Sequence, residues 1–174
     1  MLLKHEKITI RDAGSEDAER LAAWWNDGAV MAHAGFPNGL GLTAEEVAES
    51  LAEDNDDTRR RLIIELDGAA IGEMSYCSDG GAADIGIKIC DFSKQERGIG
   101  RVALSMLIAE LFGRGFERIT LDTSPDNLRA QHVYELLGFK RLRVDRDSWR
   151  DQLGRMQSSV KYELTPEAFV DFTK

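Results

Sequence analysis

The sequence predicts an α+β fold within the broad α/β class: a mixed, mostly antiparallel sheet of about seven strands flanked by helices. Three observations carry that expectation. Short apolar runs between residues 61 and 89 are separated by tight-turn signals and read as an antiparallel meander. A glycine-rich loop then leads into a long apolar helix at about residues 101 to 112, and a second strand and helix follow between Ile119 and Gly138.

In order along the chain, residues 7 to 12 read as the first strand. Ser15 is a candidate N-cap for a helix from about Glu16 to Gly28 that buries Leu21, Ala22 and one tryptophan. Ala32 to Leu42 carries Gly35, Pro37, Gly39 and Gly41 around Phe36 and is expected to be a mobile surface loop. Thr43 with Glu46 forms a capping-box sequence for a helix to about Glu53. Arg61 to Leu66 and Ala70 to Cys77 are strands joined by Asp67-Gly68, a strong hairpin signal, and the turn at Ser78 to Gly81 leads into a strand over Asp84 to Ile89. Leu104, Leu107, Ile108 and Leu111 make one face of the next helix. Ile119 to Asp122 is a short buried strand, Asn127 an N-cap, Ala130, Val133 and Leu137 an inward stripe, and Gly138 a left-handed stop. Lys140 to Val144 and Ser158 to Leu164 supply the last strands, bridged by a polar segment holding Trp149 and Gly154. No repeat or linker interrupts this order, so one domain over residues 1 to 174 is expected.

The chemistry concentrates at Gln95-Glu96-Arg97-Gly98-Ile99-Gly100, where a loop becomes a helix. A helix opens with unpaired N–H donors and a partial positive charge, which makes its start an anion site. Glycine lets an anion approach the main chain and allows positive φ, so Gly98 and Gly100 are expected to shape a nest of amides for phosphate.

Taken with the segment Asn127, Ala130, Tyr134, Gly138 and Phe139, this loop makes the chain resemble the GNAT superfamily of acyl-CoA-dependent N-acyltransferases. The loop matches the family's Gln/Arg-x-x-Gly-x-Gly/Ala pattern, and the second segment its Asn-x-x-Ala-x-x-x-Tyr-x-x-x-Gly-Phe pattern. Asp84-Ile-Gly-Ile-Lys-Ile89 looks like the family's central strand, with aspartate in place of the more common glutamate. Ile8 to Arg11 and Trp24-Trp25-Asn26-Asp27 are loosely similar to the branch containing ribosomal-protein N-terminal acetyltransferases.

The resemblance implies an N-acetyltransferase that moves an acetyl group from acetyl-CoA to a primary amine, a peptide N-terminus or a small amine, by direct attack in a ternary complex. It implies that Gln95, Glu96, Arg97, Gly98, Ile99, Gly100 and Arg101 hold the pyrophosphate, with Asn127, Ala130 and Tyr134 completing the donor site. Pantetheine would lie along Ile87, Lys88 and Ile89, bonded by Ile87 and Ile89, with an N–H near Lys88 or Ile89 facing the thioester oxygen. Tyr134 is implied as the acid for the departing thiolate and Asp84 as the general base, with Glu73 in reserve. The early helices and their loop make Trp24, His33 and Phe36 candidates for acceptor contact. Related folds are often homodimers.

Two other functions stay open. The same fold can serve as a non-catalytic acyl-CoA sensor or binding module. Gly98-x-Gly100-x-x-Ala103, with Asp122 about twenty residues on, also satisfies a dinucleotide fingerprint and so an NAD-dependent oxidoreductase. Against the latter, eight residues from Cys90 to Arg97 separate the preceding strand from Gly98, and the meander upstream is not a Rossmann arrangement.

Composition narrows the class. At 174 residues and 43% hydrophobic content, the chain can bury one sizeable core. No apolar run reaches the roughly 18 residues of a membrane span, and Met1 to Lys7 lacks a signal peptide's apolar stretch, so a cytoplasmic protein is expected. Cys77 and Cys90 have no metal-ligand spacing; no metal is expected, and both read as reduced, packed thiols. A net charge of −9 argues against nucleic acid, although the acidic run from Glu45 to Asp57 reads as a solvated face.

Overall fold

The computed structural model describes residues 1–174. Eight strands, β1 (Leu2–His5), β2 (Ile8–Asp12), β3 (Arg59–Leu66), β4 (Ala69–Asp79), β5 (Ala82–Ile89), β6 (Arg118–Thr123), β7 (Lys140–Arg150) and β8 (Met156–Leu164), form one sheet in the order β1-β2-β3-β4-β5-β6-β8-β7. Every neighbouring pair is antiparallel except β5 and β6. The helices are α1 (Ala18–Asn26), α2 (Gly28–Met31), α3 (Ala44–Ala52), α4 (Ile99–Gly113) and α5 (Leu128–Leu136). No helix is long and apolar enough to cross a membrane.

The meander forms as its turns dictate. Asp67 and Gly68 both adopt positive φ, 51° and 81°, the pair of values that a two-residue turn matched to strand twist requires. The resulting register sends alternate residues to opposite faces. Ile63, Glu73 and Lys88 stand side by side on one face, while Leu62, Met74 and Ile87 stand on the other.

Each face has its own core. Helix α4 buries Leu104, Leu107, Ile108 and Leu111 in a 24-residue cluster with Leu62, Met74, Ile85, Leu121 and Tyr162, to which α5 adds Tyr134 and the residue that caps its end, Leu137. Each such aliphatic side chain contributes about 2 kcal/mol of burial. On the opposite face an 11-residue cluster joins Leu21 and Trp25 of α1, Met31 of α2, Val47 and Leu51 of α3, and Ile63 of β3.

Several boundaries differ from the sequence-based expectation. Strand β1 is an eighth strand, paired to β2 through a turn in which Glu6 itself takes φ 50°; no glycine or asparagine marks that turn. Strands β7 and β8 run on to Arg150 and start at Met156, so Trp149 lies in a strand and pairs with Gln157. Ser15 does not cap α1. It opens a 3₁₀ turn at Ser15–Asp17, and the buried Asp17 carboxylate accepts the Gly14 N–H at 2.9 Å while pairing with Arg11 at 2.8 Å. The capping box at Thr43 and Glu46 forms in both directions, as expected. Cys90 is buried, but Cys77 is exposed, because Asp84 opposite it lies on the part of the face that the early helices leave uncovered.

The Ala32–Leu42 segment is tethered rather than loose. Gln152, in the β7–β8 turn, donates its main-chain N–H to the Gly35 carbonyl at 2.8 Å, accepts the Asn38 N–H at 2.9 Å and donates its side-chain amide to the Gly39 carbonyl at 2.9 Å. The glycines expected to loosen the loop give it the conformations that let it dock. Gly35 and Gly39 have φ of 94° and 74°, and a Cβ at Gly35 would run into the Trp149 ring.

Candidate functional site

Strands β5 and β6 are paired only from Ala82 to Asp84, against Arg118 to Thr120. Beyond that point they part, and a cleft of about 1860 Å³ opens between them. Its walls include Ile87 to Ile89, the start of α4, Leu121 to Ser124 and Tyr134.

At one end of the cleft the main chain from Glu96 to Arg101 turns into α4. None of its six N–H groups has a protein acceptor; the first helical bond runs from the Val102 N–H to the Gly98 carbonyl. Positive φ at Glu96 (61°) and Gly98 (77°) bends this run into a concave nest. Gly100, expected to need positive φ, is instead helical. A Cβ there would meet only Ile87 Cδ1, at 3.9 Å, so neither backbone nor packing demands glycine. Glycine in a helix costs about 1 kcal/mol relative to alanine. The bare surface at position 100 therefore fits a guest that comes close to the main chain. Gln95 secures the loop, donating to the Ile89 carbonyl at 2.9 Å and accepting from Arg129 at 3.2 Å, while Arg129 also bonds Glu96 at 3.2 Å. Arg97 is exposed and does not line the cleft.

The bond from Gln95 fixes which way β5 presents its edge. The Ile89 carbonyl points away from β4, and by strand alternation so do the N–H and C=O groups of Ile87. Lys88 points the other way: its carbonyl lies so close to Gly72 of β4 that a Cβ there would collide with it. The Lys88 main chain is thus removed from the sites that face the cleft, while Ile87 and Ile89 stay. An amide-bearing chain laid in the cleft finds an open strand edge ending at a nest of N–H donors. Asn127 caps α5 through the Ala130 N–H at 3.2 Å, and both residues line the same wall.

On the other side of the sheet the cleft continues over a polar floor. Glu73 is buried, its oxygens accept from Trp25 Nε1 at 2.9 Å, and Lys88 Nζ bonds it at 3.0 Å. Asp84 stands where the strands begin to part, bonded by the Thr120 hydroxyl at 2.8 Å and by no cation. Partial loss of water around it pushes its carboxyl above the usual aspartate range; the Thr120 bond and the nearby Lys161 charge work against that rise, and the Asp122 charge adds to it. Asp122 is itself paired with Lys161. Tyr134 is buried against Phe139 and Tyr162, with ring centroids 5.9 and 5.6 Å away, and burial pushes its phenol up to about 12. Cys90 is pushed up to about 12 for the same reason, which makes it an inert thiol.

Of the three candidates for acceptor contact, His33 reaches the cleft. Trp24 lies beneath Arg20, with 5.9 Å from guanidinium to ring, and Phe36 is outside the lining. The neighbouring Trp25 takes the place expected of Trp24, one step round the helix. Trp149 and Lys161 also line the cleft and had no motif to mark them. Trp149 was placed by a strand extension that the polar sequence Asp145 to Arg150 concealed.

Residues 7–140 match the family model described as Acetyltransferase (GNAT) domain. Among solved structures, the chain is similar to a probable acetyltransferase, with 25% identity, a TM-score of 0.82 and coverage of 96% of this chain and 98% of that one. It shares its fold with a ribosomal-protein-alanine N-acetyltransferase from Brucella melitensis, at 22% identity, TM-score 0.76 and coverage of 90% and 98%. It also shares it with spermidine N-acetyltransferase from Vibrio cholerae, solved in complex with CoA and spermine, at 19% identity, TM-score 0.82 and coverage of 93% and 97%. No protein of curated function matches the sequence. With a parted parallel strand pair, an amide nest at the head of α4 and the matched family model together, the chain belongs to the GNAT acetyltransferase family.

Proposed function

We propose that this protein, acting as a single domain over residues 1 to 174, transfers the acetyl group of acetyl-CoA to a primary amine, a peptide N-terminus or a small amine, by direct attack. The observation that carries this reading is the course of the cleft. It runs from six unpaired amides, past the open edge of β5, to a carboxylate that no cation bonds directly.

Bound in this cleft, acetyl-CoA supplies an acetyl group activated as a thioester. The amides of Glu96 to Arg101 hold its pyrophosphate, and Ile87 and Ile89 align its pantetheine arm. The Ile89 N–H lies on the cleft edge and is the donor we assign to the thioester oxygen, where charge builds during attack. An acceptor amine with a pKa near 10 is almost wholly protonated at pH 7, which costs about 4 kcal/mol of barrier unless a base takes the proton. Asp84 serves as that base through a water molecule, and its raised pKa suits it to accept a proton. Glu73 is less suited, because Trp25 and Lys88 already occupy its oxygens.

As the C–N bond forms and the C–S bond breaks, Tyr134 donates a hydrogen bond to the sulfur. A phenol near 12 stays protonated at working pH. Full transfer to a thiolate of reference pKa about 8.5 would run uphill by roughly 5 kcal/mol, so the bond strengthens with the growing charge and solvent supplies the proton.

Calorimetric titration with acetyl-CoA, run beside NAD, tests the donor. Thiol release against peptides, polyamines and other amines then tests the transfer. Saturable acetyl-CoA binding with amine-dependent thiol release supports the enzyme. Binding without release against any amine would leave an acyl-CoA sensor; NAD is the control expected not to bind, since a sheet with one parallel pair is not a dinucleotide-binding fold.

A further inference from the structure

Arg101 is charged and has no counterion. The protein's ion pairs engage Arg11, Arg59, Arg60, Arg61, Arg114, Arg129, Arg143 and Arg155, and none includes Arg101, whose side chain is half-buried where those of Arg97 and Arg118, also unpaired, are exposed. Its Nε is buried and meets no acceptor. A buried donor left unmatched is costly, and a cation left unmatched more so, unless something outside the protein completes it. The side chain reaches back along the helix to the nest: its Nη2 lies 3.9 Å from the position a Cβ on Gly98 would take. What the protein does supply is an aromatic ring. The Phe172 ring centre is 4.3 Å from the Arg101 guanidinium carbon, against 5.9 and 5.7 Å for the pairs at Trp24 and Trp25.

Phe172 is itself held firmly. Its N–H donates to the Ser105 hydroxyl at 3.1 Å, and Ser105 is one helical turn beyond Arg101 and fully buried. The Val170 N–H bonds the Leu137 carbonyl at 3.0 Å, and the Phe169 ring meets Phe112 edge-on at 5.9 Å. The segment thereby ties the start of α4 to the end of α5.

We propose that the Phe169–Thr173 segment shapes the donor site from behind, backing a wall that it does not itself line. Phe172 holds the Arg101 guanidinium beside the amide nest, where it binds a phosphate group of CoA through its side chain. Stacking suits this role, because an aromatic face fixes the plane of a guanidinium and leaves its N–H edge free for phosphate oxygens. A carboxylate partner would fix it equally well and cancel the charge. Arg101 is then a phosphate ligand and Phe172 a positioning residue. The inference rests on the acetyl-CoA reading of the cleft, in which Arg101 already stands at the pyrophosphate, and adds Phe172 as the residue that sets its side chain.

Calorimetric titration with CoA of the full-length protein and five variants tests it, with thermal melting in parallel. R101M is expected to bind about tenfold more weakly, the order of one charge-assisted phosphate contact. F172L keeps the packing and loses most of the ring's attraction; it and F172A should bind about threefold more weakly, while F172W binds as the unmutated protein does. A residue acting through Arg101 has nothing left to lose once Arg101 is gone, so R101M/F172A should match R101M. Undiminished binding by F172L, or losses that multiply in the double variant, would make the stack a structural staple and overturn the proposal. Should the unmutated protein not bind CoA, the acetyl-CoA reading would fall first and this inference with it.

Discussion

The donor and acceptor walls of the cleft are built in opposite ways. The donor wall comes chiefly from one stretch, Ile87 to Arg101, with Asn127 and Ala130 beside it; we assign binding mainly to its free amides, and its side chains, Gln95 above all, mostly hold the loop in shape. The acceptor wall is assembled from α1, the Ala32–Leu42 segment, β4 and the β7–β8 hairpin, and its contacts join residues more than a hundred positions apart, as Asn38 and Gln152 show. Backbone recognition needs few residue types at fixed spacing. Recognition by assembled side chains leaves the residue types free to vary. If this division holds, substitutions on one wall should move donor binding or acceptor turnover, and not both.

The largest effect is expected at the floor between the walls. Asp84→Asn should lower kcat/KM for the amine by about 100-fold, the scale of a lost general base, and leave the acetyl-CoA Kd unchanged. The raised pKa of Asp84 also sets a pH dependence. The base is lost as pH falls through a value above the ordinary aspartate range, so the acid limb of the rate should lie there and vanish in the variant. A raised carboxyl pKa means that the charged form is disfavoured by folding, so Asp84 costs stability above its folded pKa and ceases to do so as pH falls. The variant should therefore melt slightly higher at neutral pH and gain nothing in acid. Unchanged turnover would pass the role to Glu73 or to solvent.

On the donor wall, Gly100→Val should weaken CoA binding by about 30-fold, equivalent to about 2 kcal/mol, with the fold intact. The added side chain has open space beside Ile87, and valine is a better helix residue than glycine. Undiminished CoA binding would remove the nest as the phosphate site. At the junction of the walls, Tyr134→Phe should lower turnover at least tenfold and leave CoA affinity almost unchanged, since only the hydrogen bond to the leaving sulfur is lost.

This asymmetry also explains what could be read from the sequence. Gly98 and Asn127 were legible because the nest and the cap each require particular residues, whereas Gln95 and Tyr134 were legible only through the family patterns that contain them. The meander was legible through Asp67-Gly68. Strand β1 was not, because Glu6 takes the left-handed turn position without being glycine or asparagine. Trp149 was hidden because Asp145 to Ser148 are polar on both faces, so the alternation that announced the strand up to Val144 stopped short of it. Cys77 was misjudged for a related reason: its strand was correct, but which face the early helices would leave open depends on where Trp25 meets Glu73, a contact 48 residues apart. Trp24 and Trp25 could be told apart only by that same contact. The Phe172 stack was similarly out of reach, since Arg101 and Phe172 meet across 71 positions and nothing in the local pattern of either announces the contact.

The smallest expected effect tests the acceptor wall where it is held together. Gln152 joins the hairpin to the Ala32–Leu42 segment with both ends of its amide, accepting from Asn38 and donating to Gly39. Each bond contributes about 1 kcal/mol at most, and the site is partly open to water. Gln152→Ala should therefore leave the fold and the CoA Kd alone and raise the amine KM about fivefold, by letting the segment that carries His33 drift from Trp149. Gln152→Glu separates tethering from simple bulk. It keeps the acceptor for Asn38, but sets an oxygen against the Gly39 carbonyl, so it should behave as alanine does although the side chain is nearly the same size. If instead CoA binding weakened with amine KM in either variant, the two walls would be mechanically coupled, and the donor site could not be treated as the self-contained unit that its continuous sequence suggests.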